Sequence, residues 1–75
     1  MKWSAGVASP KSLHLEIEQV QLRSVTTNTV RFGFYLYVYD GSKCIRDYLQ
    51  DSFEAAVDVA FEDYGVSKAI WKRID

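Results

Sequence analysis

The sequence predicts an α+β domain: a three-stranded antiparallel β-meander packed on one face by a single amphipathic helix, with a short helical turn or edge strand at the C-terminus. Three observations predict it. Residues 29–39 alternate strictly between apolar and other side chains, as a strand does. Asp40-Gly41 follows at once, a two-residue hairpin signal. Residues 53–64 then place apolar side chains at spacings of three, four and seven, the period of a helix face.

The elements follow in chain order. Residues 1–11 read as a flexible leader, because Ser4, Ala5, Gly6, Ala8, Ser9 and Pro10 are small or chain-breaking. Residues 12–75 form the single domain. Leu13, Leu15 and Ile17 mark the buried face of a first strand, with His14, Glu16 and Glu18 outward. The phase changes at Val20 and Leu22, which a β-bulge near Glu18-Gln19 would accommodate, the alternative being a break into two strands. Thr26-Thr27-Asn28 reads as a hairpin loop, with Asn28 suited to a left-handed conformation. In the next strand Val30, Phe32, Phe34, Leu36 and Val38 form one face, and Arg31, Gly33, Tyr35, Tyr37 and Tyr39 the other.

An Asp40-Gly41 loop would set Tyr39 opposite Ser42, Leu36 opposite Ile45, Tyr35 opposite Arg46 and Gly33 opposite Tyr48. Ile45 and Leu49 then join the aliphatic face, and Cys44, Arg46 and Tyr48 the tyrosine face. Asp51 with Glu54 reads as the start of the helix, in an acidic version of the capping box. Gly65 reads as its left-handed cap, with Val66 packing back. Trp71 is expected to close one end of the core.

Composition bounds the function. At 75 residues and 8.6 kDa the chain is one small domain. Size scaling gives a folded surface of roughly 4,700 Å², about 60% less than the open chain exposes. That supports one core and leaves little room for an enclosed active site. The formal charge is −1, which argues against a general nucleic-acid binder. The charge is unevenly placed: residues 51–64 carry five acidic residues and no Lys or Arg. Cys44 is the single cysteine, so no internal disulfide forms, and a reducing cytoplasm is the expected location.

Two surfaces stand out as candidate binding sites. Tyr35, Tyr37 and Tyr39 with Arg31, Arg46 and Tyr48 combine the residue types enriched in interface hot spots. This face suits a protein partner or a second copy of the chain. Single-stranded nucleic acid, stacking its bases on the rings, is the alternative and the weaker one. The bland reading is that tyrosine simply suits strands. The acidic helix, with Asp58 and Glu62 off its apolar stripe, suits a basic partner or is merely a solvated face.

An enzyme is not expected, and no catalytic residue, metal site or cofactor is assigned. His14 has only Glu16 beside it as an acid–base companion, and Cys44 has Lys43 and Arg46 but no neighbouring His. A solvated strand residue and a small filler are the plainer readings. Gly41 and Gly65 serve a turn and a cap, so no phosphate loop is read.

Ser52, Ala56, Ala60, Tyr64-Gly65-Val66, Trp71 and Ile74 resemble a pattern in small uncharacterised bacterial proteins, in which a β-meander precedes a helix ending in Tyr-Gly-Val and a Trp follows. Some of these are grouped with immunity-type proteins of bacterial toxin systems. The resemblance covers roughly residues 30–74. It implies the fold and, for one concrete version of the function, an inhibitor of a toxin. It transfers no catalytic residue.

Overall fold

The computed structural model describes residues 1–8 and 11–75. Strands β1 (Lys2–Val7), β2 (Leu13–Arg23), β3 (Val30–Asp40) and β4 (Lys43–Gln50) precede the helix α1 (Phe53–Tyr64), and a two-residue strand β5 (Lys72–Arg73) follows it. The strands form one five-stranded antiparallel sheet in the order β4-β3-β2-β1-β5. The fold class is therefore α+β, with two strands more than the meander expected from sequence. One comes from the expected leader: Lys2–Val7 pairs along β2 from Lys2↔Glu18 to Val7↔Leu13. Trp3, Ala5 and Val7 share the core side of β1, which gives that strand its own apolar face. The expectation for Ser9 and Pro10 lies outside the described residues. The other added strand is the C-terminal tail, which takes the edge-strand form of the two alternatives and pairs through Lys72 and Arg73.

β2 and β3 pair without interruption from His14↔Tyr39 to Arg23↔Val30. The bulge expected near Glu18-Gln19 is absent. A regular ladder keeps the hydrogen bonds between the two strands uninterrupted, so Val20 and Leu22 pass to the face opposite Leu15 and Ile17. There Leu22 meets a use. Gly33 leaves a gap in the sheet, and a Cβ built on it would lie 2.8 Å from Leu22 Cδ1 and 3.0 Å from Leu49 Cδ1. Leu22 and Leu49 thus cover Gly33, the residue that the sequence set opposite Tyr48. Asn28 does take the left-handed conformation, at φ 54°.

The β3–β4 register also differs from expectation. Asp40 pairs with Lys43, so Gly41 and Ser42 form the loop, with Gly41 at φ 64°. Glycine at the first loop position supplies the positive φ that a tight hairpin requires. Tyr39 pairs with Cys44, but the next pair is Val38↔Arg46, so Ile45 is an extra residue, a bulge. The bulge reverses the faces of the rest of β4. Tyr48 lies opposite Leu36, and Arg46 opposite Val38, both on the helix side; Leu49 lies opposite Tyr35 on the open side. Ile45 and Leu49 are consequently exposed instead of joining the core.

The helix begins one residue later than expected. Ser52 is the N-cap, its hydroxyl accepting from the Ala55 N–H at 3.1 Å. Asp51 stays outside, and Glu54 alone places negative charge in the first turn, where the helix dipole favours it. Such a cap contributes about 1 kcal/mol. Gly65 ends the helix at φ 70°, its N–H donating to Phe61 O at 3.0 Å, while Val66 N–H donates to Ala60 O at 3.2 Å. This folds Val66 into the core, as the sequence implied.

The core lies between the helix and the centre of the sheet. Leu15, Ile17, Leu36 and Val38 from the sheet meet Ala56, Val57, Ala60 and Val66. The alanines bring the helix backbone close to the strands. Trp3, Phe34 and Phe53 close the end where the helix starts, with Trp3 and Phe53 ring centroids 4.5 Å apart. Trp71 packs on the same core as expected, though its indole N–H is buried without a hydrogen-bond partner. Among the described residues no helix is long and apolar enough to cross a membrane.

The bulge creates one polar tie. Tyr48, turned to the helix side, places its hydroxyl 2.9 Å from that of Tyr64. Burial first, and then this hydrogen bond, push the Tyr64 phenol up to about 12. The folded state therefore favours the neutral phenol. Its contribution is intact below the unfolded value of about 10 and is lost as pH rises through about 12. Tyr64→Phe should destabilise the domain by about 1 kcal/mol at neutral pH. In urea unfolding monitored by circular dichroism, that difference should shrink towards zero as pH climbs past 10; a difference that does not change with pH would contradict the assignment.

Candidate functional site

β2, β3 and β4 position the most distinctive surface. The unbroken β2–β3 ladder and the period of two in β3 send Tyr35, Tyr37 and Tyr39 to the face away from the helix. Their rings form a ladder. Tyr35 and Tyr37 stack with centroids 5.6 Å apart and planes 15° off parallel. Tyr39 continues the row at 6.5 Å from Tyr37, and His14 stands 6.0 Å beyond it. Each ring is half-buried by its neighbours.

The cross-strand partners give the ladder its charge. Tyr35 lies between Glu18 and Leu49, Tyr37 between Glu16 and Asp47, and Tyr39 between His14 and Cys44. Carboxylates thus flank the rings on both sides. Two of them have local partners: His14 Nε2 lies 2.9 Å from Glu16 Oε2, and Lys2 Nζ lies 3.9 Å from Glu18 Oε2. The phenols register the environment. Burial, followed by the charge of Glu18, raises Tyr37 above its ordinary value; burial, followed by Glu16, raises Tyr39. Tyr37 and Tyr39 therefore face a partner as neutral hydrogen-bond donors at neutral pH.

The remaining expected site residues lie elsewhere. Arg46 and Tyr48 are on the helix side, removed from the tyrosine face by the Ile45 bulge. Arg31 shares the open face but sits near the far end of β3, opposite Leu22. There it lines a shallow concavity of about 410 Å³ with Arg23, Ser24, Thr27 and Thr29. Asp58 and Glu62 are exposed on the helix, Asp58 paired with Lys68 Nζ at 2.9 Å. The tyrosine face is therefore acidic and not arginine-rich. Glu16, Glu18 and Asp47 are the site residues that sequence reasoning missed. The outward position of Glu16 and Glu18 on β2 was readable, but an expected bulge obscured which tyrosine each would face; Asp47 of β4 reaches this face only through the Ile45 bulge.

Among the described residues no three His, Cys, Asp or Glu side chains converge as a metal site would require. Cys44 is exposed and its thiol donates to the Arg46 carbonyl at 3.4 Å. No family model, curated protein or solved structure matches the chain.

The charge arrangement has a measurable consequence. Glu18→Gln should lower the Tyr37 titration midpoint, while leaving it above the ordinary value because burial is the larger cause. Site-resolved titration of the tyrosine ring protons by NMR reads this directly. An unchanged Tyr37 midpoint would mean that Glu18 does not face the ring.

Proposed function

We propose that the chain is a small non-enzymatic protein-binding domain whose working surface is the tyrosine ladder of the open sheet face. The observation that carries this is the stack of Tyr35, Tyr37 and Tyr39 with carboxylates on both flanks. Tyrosines supply large, stiff contact area at small entropic cost, and a phenolic hydroxyl adds a hydrogen bond at the rim. Ring faces attract cations, and Glu16, Glu18 and Asp47 add to that attraction. The partner is thus a protein segment that presents Arg or Lys side chains. The same carboxylates repel phosphate, which weighs against reading the face as a nucleic-acid platform.

The resemblance to immunity-type bacterial proteins supplies one concrete version, in which the domain masks a basic patch of a toxin. The cytoplasm is the matching compartment, in keeping with a single free thiol. The acidic helix, in this version, steers a basic partner on its way in.

Tyr37→Ala should weaken partner capture at least tenfold, the loss expected of a hot-spot tyrosine. The domain should stay folded by circular dichroism, because the ring lies outside the core. Capture is measured by pull-down from native extract, with the captured set read by mass spectrometry. Glu16→Gln with Glu18→Gln should weaken capture less and make it less sensitive to salt. If the captured set is the same for wild type and Tyr37→Ala, the tyrosine face is not the binding surface. Binding of a short oligonucleotide that Tyr37→Ala abolishes would favour the nucleic-acid reading instead.

A further inference from the structure

The sheet is not equally wide along its length. β1 flanks β2 only as far as Glu18, and β4 flanks β3 only as far as Phe34. Beyond these points Val20–Arg23 and Val30–Gly33 pair only with each other among the described strands. They form a two-stranded arm that projects past the start of the helix. The molecule measures 44 × 24 × 24 Å, and its radius of gyration of 13.1 Å exceeds the roughly 11 Å expected for a chain this long. Its exposed surface, 5112 Å², likewise exceeds the roughly 4,700 Å² of a compact chain of this mass.

The arm carries apolar side chains that a solvated ribbon has no use for. Phe32 is 55% exposed, Val30 43% and Val25, at the tip, 96%. Phe32 and Val30 lie on the helix side of the sheet, and Arg23 pairs with Val30 on that same side. The arm has two arginines, Arg23 and Arg31, and no acidic residue from Gln19 to Phe34. An isolated two-stranded ribbon is marginal in water, so a cover over this side stabilises the arm itself.

The helix offers the complementary surface. Glu54, Asp58 and Glu62 recur at four-residue spacing, so they form one stripe, and all three are exposed. Phe61 beside them is 49% exposed. Lys68 is the basic side chain that meets this surface, 5.2 Å over the Phe61 ring and paired with Asp58. The stripe remains acidic. The dimensions also agree. Four residues of β2 extend the arm by roughly 13 Å at the strand rise, which fits within the roughly 18 Å that twelve residues of helix span.

We propose that the arm is a dimerisation element that lies across the acidic helix of a second copy of the chain, whose own arm returns the contact. A two-fold axis near the helix start then places both helices in one layer between the two sheets. Phe32 and Val30 of each copy meet Phe61 of the other, and Arg23 meets the acidic stripe. The tyrosine faces stay outward on both sides of the dimer, so this contact leaves the tyrosine ladder free, while it covers the acidic stripe that the toxin-masking version uses for steering.

Sedimentation equilibrium should give about twice the monomer mass of 8.6 kDa. Phe32→Ser should raise the dimer dissociation constant at least tenfold, and so should Arg23→Glu alone and the pair Asp58→Lys with Glu62→Lys. An equimolar mixture of the Arg23→Glu chain with the Asp58→Lys, Glu62→Lys chain should dimerise again, because each contact then joins opposite charges. The mixture decides the matter even if Phe32→Ser fails to fold. Tyr37→Ala should leave the dimer intact. A wild-type monomer at high concentration, a dimer that Arg23→Glu does not weaken, a dimer lost on Tyr37→Ala, or a mixture that stays monomeric would each overturn the proposal.

Discussion

The structure depends on one constraint, the uninterrupted antiparallel pairing of β2 with β3. Ten consecutive cross-strand pairs run from His14↔Tyr39 to Arg23↔Val30. Because side chains alternate with period two, that one ladder decides what every residue of both strands touches. It sends Leu15, Ile17, Leu36 and Val38 under the helix. It sets Glu16 and Glu18 against Tyr37 and Tyr35 on the other side. It also carries both strands past the ends of their neighbours, which makes the arm. Core, candidate site and projecting ribbon are three results of the same register.

A local irregularity in β4 divides the work of its side chains. The extra residue Ile45 turns Tyr48 to the helix side, where its hydroxyl ties the sheet to Tyr64 near the helix C-terminus. The same turn sends Leu49 to the open side, where it helps Leu22 cover Gly33. Without the bulge the open face would gain a tyrosine and an arginine and lose the carboxylate of Asp47. The acidic character that favours a cationic partner is therefore a product of the bulge as much as of the tyrosines.

Much of this was legible in the residues, and the misses have physical causes. The alternation of Val30 to Tyr39, the helical stripe from Phe53 to Tyr64 and the Gly65 cap each follow from local periodicity or backbone conformation, and the structure holds all three. β1 was hidden because Ser4, Ala5 and Gly6 carry little strand propensity; only pairing with β2 makes Trp3, Ala5 and Val7 a face. The phase change at Val20 and Leu22 invited a bulge because burial on one side was assumed for the whole strand. In fact β2 is covered on its helix side only along its first half, and Leu22 is half-buried against Gly33 on the other. The bulge at Ile45 was not readable at all. Its benefit lies in a contact between Tyr48 and Tyr64, sixteen residues apart, that no local pattern reveals.

The register of β2 on β3 is open to a direct measurement. Cross-strand nuclear Overhauser effects between methyl groups and backbone protons report which side chains share a face. The ladder described here predicts contacts from the Leu22 methyls to the Gly33 α-protons and to the Leu49 methyls, with none from Leu22 to Phe53 or Phe34 rings. Leu22 contacts with those helix-side rings in place of Gly33 would show a shifted strand, and the acidic tyrosine face and the arm would both have to be redrawn.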